Sequence, residues 1–251
     1  MEGHSISDAY SAHKGGPVAL PAEQPGRWDH VFFSTMSVAM AVVVGVGFTR
    51  TYSVRIAAGT VSPLVHLHGA VFASWMILFI VQALLVARGQ NRMHRRVVVV
   101  GGFLAAVILV NGTVTAIVAV RHGFHGNPPA PFEPLVFLLG APLRDMVVFG
   151  SLSGAAIALS RDVQTHKRLM LMATIGGLVP AGAGRLFNNP VFGLVLFFVL
   201  LAAGPVYDWL SRRRVYGAYI WGIAVTIGTS VIFPLLGLTS GWQLFARVLI
   251  E

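Results

Sequence analysis

Seven apolar stretches, each long enough to cross a bilayer, divide the 251-residue chain at approximately 28–49, 64–87, 97–120, 135–159, 168–187, 190–210 and 217–238. A hydrocarbon core about 30 Å thick takes roughly 20 apolar residues as a helix, so lipid is the expected solvent for most of this chain. Phe, Leu, Val, Ala and Gly fill the stretches without strict alternation, which selects helices over an outer-membrane barrel. Only 11% of the residues are charged, whereas a soluble domain carries about 25%. The expected fold is therefore all-α: a polytopic membrane helix bundle with about seven transmembrane helices.

The net charge of +9 matters less than where it falls. With the N-terminus inside, twelve of the 18 basic residues lie in inner segments and five in outer ones, and Arg144 lies within a span. Such a bias is the positive-inside signature, so the chain is expected to run from N-terminus inside to C-terminus outside. The basic clusters then serve as topology anchors, and nucleic acid is not an expected partner. Residues 1–27 are polar, rich in Gly, Ser, Pro and Ala, and contain Glu2, Asp8 and Glu23. They lack the short basic start of a cleavable signal peptide and read as a disordered cytoplasmic tail, leaving 28–251 as one transmembrane domain. The absence of cysteine removes disulfides, thiolate ligands and c-type haem attachment, so any metal must be held by His, carboxylate or Met.

Histidine carries most of the available chemistry. Six of the nine sit at span ends: His66, His68, His122 and His125 on the expected outer side, His94 and His166 on the inner. His68, Trp75 and Gln82 recur every seven residues and share one helix face. His66 points to a different side from His68, so a regular helix cannot aim both into the bundle. Asn111, Thr115 and His122 form a second polar stripe, and such stripes face other helices or a cavity. Neutral imidazole ligates haem iron, Zn and Cu. His94 with His166 inside, and His68 with His122 outside, are the pairs at matching depth, with His125 an alternative for the outer pair.

Arg144-Asp145 interrupts the fourth span, where each ionised group costs roughly 2.5–3.5 kcal/mol on insertion scales. Adjacent residues lie about 100° apart around a helix, so each is expected to find another partner: Arg185 for Asp145, and a propionate or lipid head group for Arg144. Gly101, Gly102, Gly176, Gly177, Gly182 and Gly184 are expected to permit close helix packing. Tyr207, Trp209, Tyr216, Tyr219 and Trp221, around Arg212–Arg214, are expected to form an interfacial aromatic belt. Protease, esterase and ATPase motifs are absent. The segments opening on His94-Arg95-Arg96 and His166-Lys167-Arg168 echo one another, each after a span that ends in arginine, as two related helical hairpins would.

The segments LVHLHGAVFASWMILFIVQALLVARGQNRMHRRVVVVGG and SRDVQTHKRLMLMATIGGLVPAGAGRLF are similar to a family of bacterial multi-span membrane proteins. These carry a His in one span, an HR pair opening the next, and a later HKRLM-type motif followed by Arg. The matching positions are His68, His94, Arg95, His166, Lys167, Arg168, Leu169, Met170 and Arg185, across roughly residues 64–187. The resemblance implies a multi-pass protein of the bacterial inner membrane and brings no settled reaction with it. In architecture alone the chain also resembles transmembrane b-type cytochromes, whose haems hang between His pairs.

Three functions are therefore open. The first is a haem b-binding, redox-linked protein with cofactor ligands His68, His94, His122 and His166, exchanging electrons with a quinol or another redox partner. The second is an outer-face Zn or Cu site built from His66, His68, His122 and His125, with Glu133 or Asp145 as a further carboxylate ligand, in a metal-dependent membrane enzyme or metal-handling protein. The third is a cofactor-free transporter or assembly factor using the intramembrane polar residues Gln82, Asn111, Arg144, Asp145 and Arg185.

Overall fold

The computed structural model describes residues 26–59, 61–121, 134–187 and 189–250. Within them the chain is helical, with no strand among the described residues. The helices are α1 (Arg27–Ala57), α2 (Pro63–Ala87), α3 (Asn91–Arg121), α4 (Pro134–Ala158), α5 (Val163–Leu186), α6 (Pro190–Arg212), α7 (Gly217–Gly237) and α8 (Ser240–Ile250). Among the described residues six, all but α4 and α8, are long and apolar enough to cross a membrane. Arg144 and Asp145 lower the hydropathy of α4. The expected tail falls mostly outside the described residues, and α1 already begins at Arg27.

Local chemistry sets the helix boundaries. Pro63 and Pro190 occupy first-turn positions, where a missing N–H removes no helical bond. Asp162 caps α5 by accepting from the backbone N–H groups of Gln164 and Thr165, at 3.0 and 3.2 Å. Between α2 and α3 the chain reverses in three residues, and Gly89 takes the left-handed conformation (φ +70°) that such a stop requires.

α5 is the centre of the bundle. Two-thirds of its apolar window (67%) is buried, against 17–28% in the other five spanning candidates. It packs on α1, α4, α6 and α7, while α1, α2, α3 and α4 complete a closed ring with it. Glycine permits the close approach. A Cβ on Gly177 would lie 2.8 Å from the Asp145 carbonyl oxygen, and one on Gly182 would lie 2.8 Å from Val44 Cα. Gly102 and Gly184, by contrast, have open space where a Cβ would stand. The remaining helices turn large apolar side chains outward, among them Val99, Phe103, Val110 and Trp221, as lipid contact demands.

Short connections make neighbouring helices antiparallel. One end of the bundle, here called the basic end, gathers Arg88, Arg92, Arg95, Arg96, Arg161, Lys167, Arg168 and Arg212–Arg214. The far end carries Arg55, Arg121, Arg185 and Arg247. α8 was not expected from the sequence. At 11 residues it is about 17 Å long, too short to span. It closes the far end, with Ala246 packed against Val120 and Leu139 and the Leu249 carbonyl accepting from Arg121 Nε at 2.8 Å.

A candidate ligand cavity at the basic end

The ring of α1 to α5 does not close tightly at the basic end. It leaves a cavity of about 160 Å³ to which every one of the five helices contributes, including Phe33 from α1, Ile157 from α4 and Met170 from α5. Its wall is mostly apolar, and Trp75 is the lining residue of α2 farthest from the basic end. Trp75 is fixed there by an Nε1–H bond to Thr174 Oγ1 (3.3 Å) and by edge-on packing against Phe149.

His94 and His166 both line this cavity, so the expected inner pair does converge on one space. Each is the fourth residue of its helix, α3 and α5 respectively. Their Nδ1 atoms differ. His166 Nδ1–H donates to the Ala156 carbonyl at 2.8 Å, which fixes the tautomer and leaves Nε2 as an acceptor. His94 Nδ1 is buried without a hydrogen-bond partner among the described residues, and so is Gln82 Oε1. Gln82 also lines the cavity, its Nε2–H reaching toward the His94 carbonyl at a long 3.5 Å. Asp29, His30 and Lys167 complete the polar rim.

Beside the cavity lies a dense charge network. Asp29 accepts from Lys167 Nζ (2.7 Å), from the Tyr207 hydroxyl (2.8 Å) and from Arg212. Arg168 holds Asp208 in a two-pronged pair, Nε and Nη2 each at 2.8 Å, with both side chains fully buried. Its Nη1 donates to the Gln164 side chain, and its guanidinium lies 3.6 Å from the centroid of the Tyr216 ring. The consecutive residues His166, Lys167 and Arg168 thus divide three ways: into the cavity, to α1 and to α6. Of the expected aromatic belt, Tyr219 is instead fully buried, Tyr207 and Tyr216 are half-buried against this network, and Trp209 and Trp221 are exposed.

The far end is more loosely assembled. His66 Nδ1 pairs with the Tyr52 hydroxyl, and His68 Nδ1 donates to Asn111 Oδ1 at 3.1 Å, so the two histidines do diverge. Their expected partners His122 and His125, with Glu133, lie outside the described residues. Among the described residues no three histidine or carboxylate side chains group as a metal-binding set.

The expected partner for Asp145 was wrong. Arg144 folds back along its own helix to pair with Asp145, and its Nη2 crosses to α7, donating to the Thr226 carbonyl (3.0 Å) and Ser230 Oγ (2.7 Å). The long guanidinium arm spans the angle that separates the two α-carbons. Arg185 instead donates to the Ala181 carbonyl at 2.8 Å and lies over the Phe48 ring.

Asp29, His30 and Asp208 were missed in the sequence. Asp29 and His30 stand at the opening of the first apolar stretch, and Asp208 near the end of the sixth, where lone polar residues look interfacial. The usable signal was electrical: buried Lys167 and Arg168 need carboxylates, and few are available in a chain with nine acidic residues.

Fold and site together define a helical membrane protein with a histidine-lined apolar cavity at its basic end. No family model, curated protein or solved structure matches the chain.

Proposed function

We propose that this is a multi-pass protein of the bacterial inner membrane with a redox-linked role, and that the His94–His166 cavity is its working site. In this reading α4 is the seventh span, compensated by the Arg144–Asp145 pair and its contacts to α7. The basic end faces the cytoplasm, so the N-terminus is inside and the C-terminus outside, as the distribution of Lys and Arg supports. A quinol or another redox partner exchanges electrons with it.

The observation that carries the reading is the pair of histidines from two helices on one apolar cavity, with the His166 tautomer held so that Nε2 is open. This donor set suits a b-type haem, which would supply one-electron chemistry when bound between His94 and His166. The volume is less suited. An engineered apolar cavity of about 150 Å³ takes benzene, and this one, at about 160 Å³, is of that size. A porphyrin would need α3 and α5 farther apart.

The test is a reduced-minus-oxidised visible spectrum of the protein purified in detergent after haem-replete expression, with metal analysis of the same sample. A Soret shift and sharp α-band lost in His94→Ala or His166→Ala establish haem at this pair. A colourless preparation removes haem from the reading and leaves the metal content to speak for Zn, Cu or neither.

A further inference from the structure

The polar side chains that line the cavity have a common preference. His166 Nε2 is an acceptor, because Nδ1 holds the proton that Ala156 receives. Gln82 Oε1 is a buried acceptor that no donor among the described residues reaches. His94 Nδ1 is likewise buried with no partner among the described residues, and a neutral imidazole can present a lone pair at that nitrogen. A buried polar atom without a partner costs stability, so a ligand that supplies hydroxyl donors gains from it. The cationic group on the rim, Lys167, is paired with Asp29, a carboxylate it shares with Arg212, so a ligand carboxylate or phosphate would have to compete with Asp29 for it. The rest of the wall is apolar and aromatic, and the space admits one six-membered ring.

We propose that the cavity binds a single hydroxylated aromatic ring of the hydroquinone or phenol class, with one ring hydroxyl donating to His166 Nε2, another to Gln82 Oε1 once that amide turns toward the ring, and the ring against Trp75 and Phe79. The inference rests on the cavity being the working site, and it replaces a macrocycle by a one-ring occupant. It concerns binding and assigns no electron transfer. Because the lining side chains offer acceptors, the reduced ring is preferred over the quinone, which has no proton to give. The ring can come from the membrane pool, carried on an isoprenoid-like tail, or from a small soluble phenol.

The experiment is calorimetric titration of the full-length protein in detergent with durohydroquinone, decylubiquinol, duroquinone and 1,4-dimethoxybenzene, beside the visible spectrum described above. Saturable one-to-one binding is expected, with hydroquinone at least tenfold tighter than the dimethyl ether and tighter than the quinone. Tighter binding of the decyl compound identifies a membrane source, and equal binding a soluble one.

Gln82→Leu and His166→Gln are expected to weaken hydroquinone at least tenfold and to leave the ether nearly unchanged. Gly102→Leu, which fills open space beside the cavity, is expected to abolish binding while the thermal transition is retained. That variant keeps the test valid if His166→Gln fails to fold. Equal affinities for hydroquinone and ether, or no saturable binding to folded protein, would overturn the proposal. A Soret band lost in His94→Ala would overturn it as well while leaving the redox reading standing. Ring binding in a colourless protein would do the reverse to the haem form of that reading.

Discussion

Two charged regions of the bundle solve the same problem, charge inside a lipid-facing protein, in opposite ways. At the basic end, Asp29, Lys167, Arg168, Asp208 and Arg212 join α1, α5 and α6 through bonds between residues as many as 183 positions apart. In the middle of α4, Arg144 takes its carboxylate from the next residue and reaches across to α7. A network that crosses helices locks their arrangement; a pair within one helix mainly makes that helix tolerable in lipid. The open cavity lies beside the locked end, where its walls are held in place without filling the space between them.

The sharpest way to break this contrast is to remove one member of the fully buried pair. Arg168→Leu is expected to cost about 3–5 kcal/mol, because buried Asp208 loses its two-pronged partner and keeps only the longer Arg212 contact at 3.2 Å. The double variant Arg168→Met with Asp208→Leu should recover part of that loss. Unfolding in mixed detergent micelles reads both, and a single variant within about 0.5 kcal/mol of the parent, the usual scatter of surface changes, would dissolve the distinction between the two regions.

Next in size is Gly177→Ala. The new methyl meets backbone atoms of α4, so about 1–3 kcal/mol is expected on the same assay. In mid-α4, Arg144→Met made together with Asp145→Leu, so that no carboxylate is left unpaired, loses two bonds to α7 and is expected to cost only about 1–2 kcal/mol, given the modest worth of interhelical hydrogen bonds in membranes. A loss as large as that of Arg168→Leu would make the two regions equivalent.

The smallest effect belongs to the exposed cap. Asp162→Ala should cost about 1 kcal/mol. The Thr165 hydroxyl foremost, against an opposing effect of burial, and then the Thr165 and Gln164 N–H groups hold the Asp162 carboxyl below its ordinary value of 3.8. A carboxyl lowered on folding stabilises above its unfolded value and loses that contribution as pH falls through the folded one. The parent should therefore lose its advantage over Asp162→Ala in acid, below about pH 4, and a difference independent of pH would show that the cap acts without its charge.

Much of this was legible in the chain. Helix positions followed from apolar length, and the sevenfold spacing of His68, Trp75 and Gln82 correctly gave one inward face. The depth argument also put His94 with His166. What periodicity could not supply was which helices adjoin, and hence that Asp29 and Asp208 stand beside Lys167 and Arg168. Nor could a wheel of Cβ directions foresee that a long Arg144 side chain bends back to Asp145. The short α8 escaped because a length criterion tuned to bilayer thickness overlooks helices that merely cap an end.

The separation of Arg168 from Asp208, 40 residues along the chain, also carries a consequence for biogenesis. At about 5–20 residues per second, α5 exists for roughly 2–8 s before its carboxylate partner is synthesised. Asp29, by contrast, is already present to receive Lys167. Its place in the sixth position of α5, next to the basic interface, lets Arg168 keep its guanidinium in water during that interval. The last step of assembly is then the arrival of α6, which draws the arginine inward, so a ribosome stalled before Asp208 should release a chain whose central helix is inserted but not yet seated.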